Sequence, residues 1–230
     1  MQSFVRWLGQ LDFSFVWEYG ISVAASLLCI MFHEVSHGLT ALALGDPTAK
    51  NAGRLSFNPI KHVDIFGLLM MAIFRFGWAK PVPIDMRNFK HPVQGMAITA
   101  AAGPLSNVVL AFVALCIRAG ALYFNLRSGG AVSGFLVTFF ECVAVLSVGL
   151  AVFNVIPIPP LDGSKVVNAL LPQRIYYKIL RYEKYGFLIM IVVLYLGILN
   201  GPLNFCRNAL LDGLTKISSF PFYILQSLFG

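Results

Sequence analysis

Charge is the scarcest thing in this sequence. Of 230 residues, 17 are Lys or Arg and 10 are Asp or Glu, 12% together, where an ordinary soluble domain carries about a quarter. So few charged groups cannot clothe a water-exposed surface, which excludes a soluble globule. Cysteine is sparse and unpaired. Cys29, Cys116, Cys142 and Cys206 stand singly in apolar stretches, without a CxxC pair, which argues against a zinc finger and against a disulfide framework and leaves them as small core residues. A secretory-signal pattern is missing too, since Arg6 stands alone and the first long apolar run continues past residue 40, so no cleaved leader is expected. The net charge of +7 comes from basic residues spread over loops, not from one basic face interleaved with aromatics, so no nucleic-acid partner is expected.

What is abundant is hydrocarbon. Apolar residues make up 58% of the chain and gather into runs near the roughly 20 residues that cross a bilayer as a helix. The expected fold class is all-α: a polytopic membrane protein, one domain over 1–230, with a bundle of about 4–6 transmembrane or re-entrant helices and a small membrane-associated β element. Residues 1–18 suit an interfacial helix, and the core spans about 19–200. Spans are expected over 19–44, ended by Gly45 and Pro47, then over 94–117, 132–155 and 185–199. A short helix is expected over 162–171, a basic loop over 174–184, and an interfacial helix or a further crossing over 202–230. LLMMAIF at 68–74 is too short to span and reads as re-entrant. In WAKPVPID the alternation of Pro81 and Pro83 with Val82 and Ile84 admits a strand only at a sheet edge. Loops 46–93 and 156–184 carry seven and five of the 17 Lys and Arg, so the side they share is expected to be cytoplasmic in a cell membrane.

Against this background, IMFHEVSHG at 30–38 needs a reason. His33 and His37 are four residues apart, one helical turn, the spacing two ligands of a single zinc require. Glu34 falls beside that face, where a carboxylate can take a proton from the attacking water. An acid near the bilayer centre costs about 2.5–3.5 kcal/mol on insertion scales, and such residues usually line a functional cavity. Zinc held this way needs a third protein ligand. Asp162, in PPLDG just past the third span, is the best placed; His62, Asp64 and Glu141 compete.

HEVSH within a span, then GRLSFNPIKHVD, GWAKPVPID, AGPLSN and NVIPIPPLDG in that order, resemble the site-2 protease family of intramembrane zinc metalloproteases over roughly residues 30–170. The resemblance implies one Zn2+ per chain, held by His33, His37 and Asp162, with Glu34 as general base. It implies that Asn154 positions substrate or stabilises the oxyanion, although the sequence equally allows a helix-end hydrogen bond there. Pro157, Pro159 and Pro160 would keep the chain extended so that Asp162 reaches the metal. Substrate would be captured as an added strand, with Trp78, Ala79, Lys80, Pro81, Val82, Pro83, Asn107 and Pro160 as the substrate-binding residues. The PDZ or CBS domain of many family members has no room here, so any regulation falls to a partner protein or to prior cleavage of the substrate. The expected partners are membrane lipid and transmembrane protein substrates, and the expected reaction is peptide hydrolysis within or near membrane segments. A membrane metal transporter and a catalytically silent segment-binding relative are the alternatives.

Overall fold

The computed structural model describes residues 14–62, 64 and 80–229. Its elements are α1 (Ser14–Ala43), the single turn α2 (Thr48–Asn51), α3 (Pro92–Ser128), α4 (Ala131–Asn154), α5 (Asp162–Asn168), α6 (Gln173–Tyr195), α7 (Asn200–Ser218) and α8 (Phe220–Phe229), with 3-10 turns at Pro59–Lys61 and Met86–Asn88. Three helices are long and apolar enough to cross a membrane, at Trp17–Ala43, Pro92–Ser128 and Ala131–Asn154. A fourth span results if Tyr185–Tyr195 and Asn200–Phe229, bent by 87° at their junction, count as one.

Punctuation residues set the helix ends. Gly45, at φ 104°, takes the left-handed turn that stops α1, a conformation L side chains resist. Pro92 opens α3 in the first turn, where a missing N–H costs nothing. Gly129, at φ 58°, closes α3 with its N–H on Asn125 O. Only Gly129 and Gly130 separate α3 from α4, so the two run antiparallel as a hairpin. Prolines from 157 onward bar a continued helix and end α4 at Asn154.

Helices α1, α3 and α4 share one core built around Ala25, Cys29, Ala111, Ala114, Val143, Ala144 and Val148. Small residues dominate because apolar helices in lipid associate through close backbone approach and van der Waals packing, not through expulsion of water. Cys29 behaves as a core residue, donating to Val143 O and accepting from Ser147 Oγ at 3.1 Å. Glu141 is paired across to Arg118 at 3.3 Å, which neutralises an acid that a bilayer would otherwise penalise.

Two expected bounds are corrected. The second span does not stop near residue 117 but continues to Ser128. The stretch 174–184 is not a loop: it lies inside α6, where apolar residues at 175, 179 and 182 already give a helical period, and basic residues do not oppose a helix. The tail forms two helices, and α8 folds back on the end of α3 through the Tyr123–Phe222 ring contact and the hydrogen bond from Arg127 to Phe229 O. Among the described residues there is no strand. The expected interfacial segment up to residue 13, the re-entrant stretch 68–74, Trp78 and Ala79 lie outside the described residues, while 14–18 begin α1.

The described part of the stretch expected to carry the β element, Lys80–Asp85, is not in a strand and is held by single tethers. Lys80 N donates to His62 O, Arg54 Nη2 donates to Lys80 O at 2.6 Å, Val82 N donates to Glu34 Oε2, and Asp85 N donates to Asp46 Oδ2. Pro81 and Pro83 have no donors, and the tethers use three of the amides that remain. Asp46 is the main anchor. Fully buried just past α1, it accepts from Asp85 N, Asn88 Nδ2, Thr48 N and the Thr48 hydroxyl. Burial pushes its pKa up, but these four donors outweigh that and hold the carboxyl below the usual carboxylate range.

A folded-state pKa below the unfolded one means that the anchor contributes its full stability above the unfolded value, about 3.9, and loses it as pH falls through the lower folded value. Asp46→Asn should therefore lower the melting temperature in detergent by several degrees at pH 7, and the gap to wild type should close as the pH is brought from 4 towards 2. A pH-independent gap would refute the ionised anchor.

Candidate active site

The second half of α1 lays His33 and His37 on one face, one turn apart, with ring centroids 4.6 Å apart and planes nearly perpendicular. Asp162 comes to them from the start of α5. Its Oδ2 lies 3.1 Å from His33 Nε2 and 3.1 Å from His37 Nε2, and the two Nε2 atoms are themselves 3.1 Å apart. All three residues are buried. Three potential ligand atoms thus form an equilateral triangle, the one group of His, Cys, Asp or Glu among the described residues able to hold a metal ion. A tetrahedral site with bonds of about 2.0–2.1 Å has ligand-to-ligand edges of about 3.3 Å, so the residues fit zinc with only small adjustment. Burial would raise the Asp162 pKa, and the two imidazoles outweigh it and hold the carboxyl well below the usual range.

Neighbouring groups set which ring nitrogen is free. His37 Nδ1 lies 2.7 Å from Thr99 O; a carbonyl only accepts, so Nδ1 carries the proton and the Nε2 lone pair faces the triangle. His33 Nδ1 lies 3.2 Å from the side-chain amide of Asn107, which is fully buried and whose Oδ1 has no partner. With Nδ2 facing the ring, the proton would sit on Nε2 and block ligation. Turning the isosteric amide by 180° brings Oδ1 onto Nδ1–H and frees Nε2 for a metal. Asn107 therefore sits behind His33 and is not among the residues bordering the cavity over the triangle.

Packing sets how close the elements come. A Cβ at Gly103 of α3 would run into both imidazoles, and a Cβ at Gly163 would run into Val155 O. Glycine at 103 lets α3 lie against the rings, and glycine at 163 lets α5 start flush on the end of α4. Pro104 cannot donate to Ala100 O, so the α3 hydrogen-bond ladder is interrupted beside the site.

Over the triangle lies a cavity of about 190 Å³ bordered by His33, Glu34, His37, Asn154, Asp162 and Lys165, with Pro81, Val82, Ile84, Met96, Ala100 and Pro160 completing it. Of the residues singled out from sequence, Glu34, Asn154, Pro81, Val82 and Pro160 share this cavity with the three metal-binding candidates. Lys80 and Pro83 are exposed and do not border it. Asn154 Nδ2 donates to Leu150 O at 2.9 Å, the helix-end bond that was its alternative reading, with the other amide hydrogen left over. Glu34 Oε2 accepts from Val82 N at 2.8 Å. Among the competing ligands, His62 is buried with Nε2 on Ser56 O, Glu141 is paired with Arg118, and neither these nor Asp64 joins the group. Sequence reasoning missed Thr99, Gly103 and Lys165. Lys165 was signalled by its position three residues after Asp162 on a short helix.

Asn107→Leu, of similar size but unable to accept from Nδ1–H, should weaken zinc binding by about 10–100-fold in chelator competition while the protein stays folded. Gly103→Ala should do at least as much damage by displacing both rings. Unchanged zinc affinity in both variants would contradict this arrangement.

The sequence model of peptidase family M50 matches residues 120–197. "Putative zinc metalloprotease YwhC" of Bacillus subtilis (strain 168) is 36% identical over 171 residues, 74% of this chain and 78% of the relative. "Putative zinc metalloprotease Rip2" of Mycolicibacterium smegmatis is 28% identical over 197 residues, covering 81% and 71%. "Putative zinc metalloprotease MJ0611" of Methanocaldococcus jannaschii is 30% identical over 153 residues, covering 64% and 69%. No solved structure gives a significant match. The zinc-fitting triangle and the extent of these similarities lead to one conclusion: the chain belongs to peptidase family M50, the site-2 protease type of zinc metalloprotease.

Proposed function

We propose that this chain is an intramembrane endopeptidase, hydrolysing peptide bonds within or near transmembrane segments of other proteins, with His33, His37 and Asp162 holding the zinc. The observation that carries the reading is the buried His33–His37–Asp162 triangle with Glu34 on the same cavity, in a helix apolar enough to cross a bilayer. Zinc at such a site acts as a Lewis acid that makes water nucleophilic near neutral pH. The chain's own groups do the rest. Glu34, oriented through Oε2 by the Val82 amide, takes the proton of the attacking water on Oε1 and delivers it to the leaving amine. Asn154 has one amide hydrogen left to meet the substrate carbonyl. Walls of Pro81, Val82, Met96 and Pro160 keep bulk water away and favour an extended, apolar stretch of substrate.

A transmembrane helix offers no accessible peptide bond, because each carbonyl is bonded within the helix. Substrate must open locally to an extended form, and the Lys80–Asp85 segment is a surface along which an opened strand could lie. Lipid is the surrounding solvent. The active site belongs on the cytoplasmic side of a cell membrane by the distribution of basic residues, and a partner protein or earlier cleavage is the means of control. A metal transporter is disfavoured because the cavity of about 710 Å³ next to the site is lined almost wholly by apolar residues and offers no onward chain of ligands. Intact Glu34 disfavours a silent relative.

Glu34→Gln keeps the shape of the side chain and removes the base. The purified variant should retain one zinc per chain and lose at least three orders of magnitude of cleavage of a reconstituted membrane substrate, about 4 kcal/mol of transition-state stabilisation. Cleavage near the wild-type rate would overturn the role of Glu34, and zinc flux without cleavage in wild-type proteoliposomes would favour the transporter.

A further inference from the structure

The two oxygens of Asp162 have different neighbours. Oδ2 is a corner of the triangle, 3.1 Å from both Nε2 atoms, whereas Oδ1 faces Lys165 Nζ at 3.7 Å. A carboxylate beside a metal can bind through one oxygen or both, and if both engage, the coordination position that a hydrolytic zinc keeps open is crowded or lost. Geometry at the histidines does not decide between these modes. Something must act on Oδ1.

Lys165 is built to do so. It lies three residues after Asp162 on α5, on the same side of a seven-residue helix. The start of that helix is fixed by the contact of Gly163 with Val155 and by Ser164 Oγ on Leu161 O, so the lysine stem has a short, defined reach. The side chain is about a third exposed and borders the cavity above the triangle. Among the described residues around that cavity it is the one Lys or Arg, and its Nζ faces the Asp162 carboxylate.

Resting on the ligand set proposed above, we propose that Lys165 is a positioning residue: its ammonium engages Oδ1 of Asp162, limits that carboxylate to single-oxygen ligation through Oδ2, and so keeps the fourth metal position open. Removing the charge frees Oδ1 to turn onto the metal. The coordination number rises and turnover falls, while the affinity for substrate changes little.

The test uses the full chain in detergent, loaded with cobalt in place of zinc, with visible absorption as the readout, since four-coordinate cobalt absorbs much more strongly than five-coordinate cobalt. Wild type and Lys165→Arg should show the intense four-coordinate bands. Lys165→Met and Lys165→Gln, scored in whichever loads one cobalt per chain, should lose much of that intensity, and the zinc forms should lose about ten-fold or more in kcat with KM within about two-fold, a loss of roughly 1.4 kcal/mol in barrier lowering. Asp162→Ala is the control for the site itself. If it leaves the wild-type cobalt spectrum unchanged, Asp162 is not a ligand and both readings fall. If Asp162→Ala alters the spectrum but neither neutral Lys165 variant does, the positioning role alone is overturned. A loss of kcat without a spectral change also overturns it, and points to direct contact between Lys165 and substrate.

Discussion

Everything in this molecule is arranged around bringing a carboxylate from one part of the chain to two imidazoles on another, in a place with little water. A lone buried carboxylate or imidazolium is strongly disfavoured, so the three side chains are tolerable only together. Their convergence imposes geometry on every neighbour. Gly103 has no side chain because both rings occupy that space. Thr99 O and Asn107 lie behind the rings, and proline stops α4 early enough for the chain to double back and present Asp162. The Ala-rich and Gly-rich face of α3 serves two purposes: it lets three helices pack closely in lipid, and it lets one of them touch the site.

The same economy explains the segment across the mouth of the site. Lys80–Asp85 has lost two amide donors to proline, and three of its other N–H groups are used on His62 O, Glu34 and Asp46. A sheet needs a second strand, and among the described residues none is present. The segment is instead fixed at one end by the buried carboxylate of Asp46, at the other by the Arg54 guanidinium, and in the middle by the proposed general base. Orientation of Glu34 and the position of this wall are therefore one constraint, since the Val82 amide belongs to both.

Much of this could be read in the linear chain, for identifiable reasons. Span lengths follow from apolar runs, and helix ends follow from glycine and proline. The pairing of His33 with His37 follows from a period of 3.6 residues. Where the reading failed, a local pattern competed with a weaker signal. The basic residues of 174–184 suggested a loop, although the apolar spacing beneath them was helical. For Asn107, nothing local in the sequence says whether a polar group in an apolar helix faces a substrate or, as in the fold, the back of an imidazole.

Sequence alone determined the chemistry within reach of one helix: two imidazoles and a carboxylate on adjacent positions of an apolar segment, with the solvent class of the protein fixed by how little charge it carries. Tertiary structure decided which distant acid completes the group. Asp162 lies 129 residues from His33, and no periodicity spans that interval; its place past the third span and the family resemblance ranked it ahead of His62, Asp64 and Glu141, but only the fold brings its carboxylate to the imidazoles. It also decided that Asn107 supports a ring, that Val82 holds Glu34, and that Lys165 faces the outer oxygen of Asp162. Those relations exist only once packing has brought separate helices within a few ångströms, and close packing is a property of the whole fold, not of any one stretch of it.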